Sequence, residues 1–211
     1  KHRMKLDMTH ENHRLGAIKG KVLDADGTTV LLEVYQTFGI TQKEFNMELG
    51  TAGTIVRTKC SAVVDMIADA LGGTPMPGVR ALCGKNFWNS LIDHKSVRET
   101  YLNTQQAAEL RGKAPDSFEH GGIIFERYRG RIAGQPHVHD DEAHAFPENV
   151  PDMFLTRFAP ADYLETVNTD GRPYDSRVEP LPMGKGLEIE SQSNPLHVPA
   201  IPKAIIKLKR A

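Results

Sequence analysis

Six potential metal ligands fall within eight positions of the segment GQPHVHDDEAHAFPE (134–148): His137, His139, Asp140, Asp141, Glu142 and His144. Imidazole nitrogens and carboxylate oxygens are the donors that zinc and non-haem iron take, and two histidines at i, i+2 on a strand would face the same side. A cupin-like metal-dependent enzyme uses such a pair, with a glutamate three or four residues after the second histidine and another histidine from a later strand. Here only two residues separate His139 from Glu142, which is out of register for one strand face. Pro136 before the pair and the run Asp140-Asp141-Glu142 after it read as a solvated, mixed-charge turn. Three ligands in one short loop would also lack the outer hydrogen bonds that orient metal-bound imidazoles. No catalytic, cofactor-binding or metal-ligating residue is therefore assigned, no cofactor is expected, and a cupin-like enzyme at 137–144 stands as the alternative.

Other reactive groups carry weaker signals. His2, His10 and His13 read as a polar, mobile end. LCGKNFW (82–88) lacks the frame of a phosphate-binding loop, and GKG (184–186) lacks the third glycine of a dinucleotide site. No G-x-S-x-G occurs, and Asp93, His94 and Ser96 stand too close in sequence to form a triad. FERYRGRI interleaves Arg127, Arg129 and Arg131 on one strand face with Phe125, which suits a subunit contact or a solvated face better than nucleic acid, because no basic field surrounds it. Cys60 and Cys83 lack a CxxC spacing and read as free thiols in a reducing, intracellular compartment.

The elements that must position these groups follow from periodicity. Two β-rich runs in 15–38 flank Asp26-Gly27 and predict a hairpin. Cys60, Val63, Val64, Ile67 and Leu71 mark an amphipathic helix that Gly72-Gly73 ends. A loop at TPMPG (74–78) precedes a second helix from about Lys85 to His94, and Ser96 with Glu99 predicts a capping box opening a third toward Leu110 and Gly112. From 118 onward GGIIFERYRGRI, DMFLTRFAP, GLEIESQS and KAIIKLK read as strands, with a short helix in PADYLETVN. Frequent proline after 135 argues against a parallel βαβ array, so the class is α+β.

Composition narrows the function. Lys plus Arg number 26 against 27 Asp plus Glu, which gives no cationic field for nonspecific nucleic-acid binding. No run approaches the ~18 apolar residues of a membrane helix, and the basic start KHRMKLDMTHENHR lacks the apolar stretch of a signal peptide. The chain opens on Lys1 in polar sequence without cap or turn residues, which reads as cut from something longer.

Four blocks carry a resemblance that spans nearly the whole chain in order: LGAIKGKVLDADGTTVLLEVYQTFGI (15–40), VRALCGKNFWNSLIDHKSVRETYL (79–102), FPENVPDMFLTRFAPADYLETVNTDGRPYDSR (146–177) and GKGLEIESQSNPLHVPAIPKAIIKL (184–208). Together they resemble the major capsid proteins of lambda-like tailed phages, the phage capsid E family. The resemblance implies the Hong Kong phage-type fold with its N-terminal arm missing. It implies a projecting hairpin loop and its base at 1–50, a peripheral domain with a spine helix at 51–80, a mainly axial domain at 81–180 and C-terminal strands returning to the peripheral domain at 181–211. It further implies a structural, non-enzymatic head protein of a phage or prophage, assembled in the bacterial host cytoplasm into the virion capsid. Its partners would be itself, in pentamers and hexamers, with scaffold, portal and decoration proteins. Packaged DNA would be enclosed without sequence-specific binding, and no membrane would be involved.

Overall fold

The computed structural model describes residues 2–102, 116–132 and 134–211 and has the α+β architecture the sequence implies. At its centre lies a six-stranded sheet in the order β3 (Lys43–Asn46), β14 (Ile206–Lys209), β9 (Glu142–Glu148), β4 (Gly78–Cys83), β6 (Ile123–Arg127) and β5 (Ser117–His120). β9 runs antiparallel to both neighbours, with Ala145 opposite Ile206 on one side and Ala81 on the other. β14 pairs in parallel with β3, and β4 with β6.

Strand alternation gives the sheet two different faces. Ala81, Cys83, Ala143 and Ala145 join the main core with helix α3 (Val56–Leu71), which buries Val56, Cys60, Val63, Ile67 and Leu71 as the periodicity predicts. Gly72 closes α3 in the left-handed conformation at φ 61°. Helix α4 (Lys85–Asp93) adds Phe87, Trp88 and Leu91 to the same core. Leu82 belongs to a second, smaller cluster with Leu15 and Val138, against which Ile18 and Phe146 pack.

Helix α5 (Lys95–Leu102) starts where the sequence predicts, but not through Ser96 and Glu99. The imidazole Nδ1 of His94 accepts the Ser96 N–H at 3.2 Å, and its carbonyl accepts from Val97 and Arg98, so a histidine caps the helix. The predicted continuation to Leu110 and Gly112 lies outside the described residues.

The N-terminal segment differs most from expectation. Residues read as a mobile end and a first strand form one helix, α1 (His2–Lys19), and the strand is reduced to β1 (Lys21–Leu23). Its sequence lacks the usual helical signature because its inward positions are His10 and His13, followed by Leu15 and Ala17, rather than an aliphatic stripe. Gly20, at φ 88°, ends it where a Cβ would come within 2.0 Å of the Tyr35 ring. β1 pairs with β2 (Val30–Glu33) across a turn held by the Asp26 carboxylate, which accepts from the backbone and hydroxyls of Thr28 and Thr29. The second predicted strand stops at Glu33, and residues 34–37 form the helical turn α2 (Val34–Thr37).

Beside the sheet stand two antiparallel ribbons, β10 (Phe154–Ala159) with β13 (Asn194–Pro199) and β11 (Asp175–Pro180) with β12 (Leu187–Gln192). α1 packs on β13 and reaches β9. The helix expected in PADYLETVN is a single 3-10 turn at Leu164–Thr166. β6 ends at Arg127, and the short pair β7 (Arg131–Ile132) and β8 (Gln135–Pro136) interrupts the long strand expected there.

Removing core volume beneath the sheet separates packing from surface effects. Ile67→Ala, at a fully buried position, is expected to lower unfolding free energy in urea by about 2–5 kcal/mol, whereas Ile55→Ala, 64% exposed, changes it by less than about 0.5 kcal/mol.

Candidate functional site

The histidine segment is not a solvated loop throughout, and its imidazoles do not converge. His144 lies within β9, opposite Lys207 on β14 and Leu82 on β4, and is 3% exposed. His137 is buried edge-on to Tyr128, with ring centroids 5.9 Å apart. His139 is exposed, and its Nδ1 accepts the Asp141 N–H at 3.4 Å. His137 and His139 precede β9 and thus do not form an i, i+2 strand pair. Among the described residues no group of three or more His, Cys, Asp or Glu is placed to hold a metal ion.

The segment works instead as a brace. The carbonyl of Asp140 accepts the Phe87 N–H at 2.8 Å, and that of Glu142 accepts the Gly84 N–H at 2.9 Å, which satisfies backbone donors at the start of α4. Contact is so close that a Cβ on Gly84 would lie 2.0 Å from the His139 carbonyl oxygen. The acidic run, read as solvated, is engaged: Asp141 pairs with Arg210 at 2.9 Å and accepts from Asn86, and Glu142 pairs with Lys207 at 2.7 Å. These contacts tie 139–142 to both α4 and the C-terminal strand.

Burial explains the protonation states. His144 is held neutral, its pKa pushed down to about 3 by desolvation and then by the charges of Lys19 and Lys207. Burial likewise lowers His137. Cys60 and Cys83 are both buried free thiols, and desolvation raises the Cys60 pKa to about 12 and that of Cys83 further, which makes neither a nucleophile.

The three arginines are separated as well. Arg127 ends β6, Arg129 pairs with Asp116 at 2.5 Å, and Arg131 on β7 donates to the Gly134 carbonyl. They do not form one strand face.

A surface feature of which the sequence predicts only one strand is the β11–β12 ribbon: β12 falls in GLEIESQS, whereas β11 was not expected. Its register sets Val178 opposite Ile189 and Pro180 opposite Leu187 on one face, and Arg177 opposite Glu190 and Glu179 opposite Glu188 on the other. Val178, Ile189 and Leu187 are 53%, 54% and 67% exposed. Arg177 ties the polar face together through Glu165 and Glu179 and lies over the Tyr163 ring. At the tip Met183 is 90% exposed with φ 64°, a left-handed conformation unfavourable to its side chain. The alternation in RVEP and LEIE was the available signal.

Comparison with known proteins places these features in context. The profile of phage major capsid protein E matches residues 1–210. The major capsid protein of Pseudomonas phage KPP10 is 33% identical over 194 residues, covering 84% of this chain and 55% of that protein. That of Salmonella phage Felix O1 (isolate Felix O1-VT1) is 24% identical, covering 98% and 65%. A solved prophage protein of E. coli CFT073, assigned as a capsid protein, superposes with a TM-score of 0.62 at 17% identity over 96% of this chain and 63% of its own, which shows a shared fold. The chain thus spans between about half and two thirds of the length of these relatives. None of this supports the cupin-like alternative.

A structural brace titrates differently from a metal centre. Dialysis against a chelator should leave the melting temperature within about 1 °C, because the described side chains form no group whose bound ion could stabilise the fold by mass action. The depressed pKa of His144 gives stability that is complete above about pH 6.5 and is lost as pH falls toward 3. Urea unfolding should therefore show a loss of several kcal/mol between pH 7 and pH 4, reduced in His144→Gln; a flat profile would contradict burial of a neutral imidazole.

Proposed function

Because the chain belongs to the phage major capsid protein E family, we propose that it is a shell subunit, a structural head protein of a phage or prophage that assembles with copies of itself around DNA. The match of residues 1–210 to that family is the observation that carries the reading. The partner set follows from it: pentamers and hexamers of this chain, with scaffold, portal and decoration proteins, in a virion assembled in the host cytoplasm. Rings built from heterologous contacts close at five or six copies with modest rotation of the subunit. Many weak contacts acting together then hold a shell.

The subunit needs no catalytic group in this role. Its charge balance of 26 to 27 suits a wall that encloses DNA without adhering to it.

We also propose a domain division, amended from the sequence expectation. α3, β4, β9 and β14 share one core, which supports grouping residues 43–102, 117–148 and 201–209 as the axial body. α1, the β1–β2 hairpin and the two ribbons would form the peripheral body. The expected spine at 51–80 then moves, since α3 packs within the six-stranded unit, and α1 is the better candidate.

The apolar face of the β11–β12 ribbon is proposed as one of the contacts between copies. An exposed set of Val178, Leu187 and Ile189 on a two-stranded ribbon gains burial only from another surface. With the protein expressed from its full reading frame, Leu187→Asp combined with Ile189→Asp should keep the circular dichroism and melting temperature of the parent but sediment as small species where the parent sediments as shells. Shells of unchanged yield would remove the ribbon from the interface, and a parent that stays monomeric under all assembly conditions would count against the function.

A further inference from the structure

The joint between α1 and the β10–β13 ribbon is made of imidazoles where a helix-to-sheet contact ordinarily carries aliphatic side chains. His10 and His13 project from α1 and His197 from β13, and they are 4%, 5% and 4% exposed. The His197 ring centroid lies 5.6 Å from that of His10 and 6.4 Å from that of His13. His10 also stacks on Tyr174 at 5.4 Å.

Hydrogen bonding makes this joint intolerant of protons. The Ser193 hydroxyl donates to the Pro173 carbonyl, so its oxygen accepts from His10 Nε2 at 2.6 Å. His197 Nδ1 meets the Thr156 hydroxyl at 2.9 Å. The Nε2 atoms of His13 and His197 are buried without a hydrogen-bond partner. A neutral ring can leave one nitrogen as a bare acceptor, but an imidazolium has two donors, and an unmatched buried donor is costly.

The surrounding charges do not offset this. Arg14 of α1 acts unfavourably on protonated His10 and His197, while Asp7 favours protonated His10 and Asp24, beyond β1, favours protonated His13. Asp7 already accepts from the Tyr174 hydroxyl, Arg3 lies over the Tyr174 ring, and Glu11 accepts from Tyr128. On the packed strands, Arg157 of β10 donates to a backbone carbonyl and Glu190 of β12 accepts from Gln192. Lys21 of β1 pairs with Glu33, and on β9 Glu142 pairs with Lys207 and Glu148 with Arg80. His144 of β9 is itself neutral, and β13 carries no ionisable side chain besides His197. Burial lowers the pKa of all three joint histidines, that of His197 to about 4.

We propose that His10, His13 and His197 form an acid-operated latch: neutral, they hold α1 on β13, and protonated, they release it. The latch goes beyond the shell reading and is a property of the single chain. Docking is at full strength above about pH 6.5 and weakens as pH falls toward 4, because each ring binds its proton more readily once released. Each such proton raises the released-to-docked ratio up to about tenfold per pH unit, and three together up to about a thousandfold.

Spin labels at Met4→Cys on α1 and Leu196→Cys on β13 read the joint directly; these sites are 69% and 50% exposed, and the native Cys60 and Cys83 are fully buried. Trp88, 2% exposed in the sheet core, reports global unfolding. On acidification from pH 8 the interlabel distance should lengthen and broaden reversibly between about pH 6.5 and 4, with more than one proton taken up, before Trp88 emission changes. Replacing all three histidines by glutamine should abolish that transition. Should this variant fail to fold, imidazole proton NMR of the parent decides: the three rings must titrate below 6.5 together with the distance change. An unchanged distance down to pH 4, movement only alongside Trp88, rings that titrate normally, or a transition intact in a folded triple variant would overturn the latch. None of these outcomes depends on shell formation, which sedimentation tests separately.

Discussion

The two-sided pairing of β9 places residues 143–145 between a strand from the first half of the chain and the strand near its end. The inward positions of this stretch are then occupied: Ala143 and Ala145 face the core under α3, and His144 lies in the sheet interior on the opposite face. Backbone groups in such a strand have no access to water, so the ladder to β4 and β14 must be complete. The approach to β9 is fixed as a consequence. Residues 139–142 have to supply carbonyls to the start of α4 and carboxylates to Arg210 and Lys207, and Gly84 must remain without a Cβ for the two segments to meet.

This constraint explains why, among the described residues, a dense set of metal-ligand side chains is not gathered into one group. The backbone direction that sends His144 into the sheet interior leaves His139 outside and turns His137 against Tyr128. Ligand chemistry alone cannot assemble a site when each donor is committed to a different neighbour.

Legibility in the sequence tracked the kind of side chain that faces the core. α3 was readable because Cys60, Val63, Ile67 and Leu71 are apolar at helical spacing, and β10, β12 and β14 were readable from their alternation. α1 was not, because histidines take its inward positions. β9 was hidden by its two-sided burial under polar letters, with Glu142 and Glu148 in ion pairs and Pro147 within the strand. β4 was masked by Arg80, a charged side chain within the strand that lies between Glu126 and Glu148. The capping of α5 by His94 rather than Ser96 depends on a tertiary bond as well, since the other ring nitrogen contacts the Thr51 carbonyl at 3.1 Å. The family resemblance, spread over four long blocks, survived all of these misplacements because it did not depend on any single element.

Through α1 the six-stranded sheet is joined to the β10–β13 and β11–β12 ribbons, and both the exposed apolar ribbon and the histidine joint belong to that second set. The most direct measurement is electron cryomicroscopy of the protein expressed from its full reading frame. A shell subunit gives closed icosahedral particles whose density accepts the six-stranded sheet in every copy, with the β11–β12 ribbon at a contact between copies. Monomers or irregular aggregates under every assembly condition would contradict it.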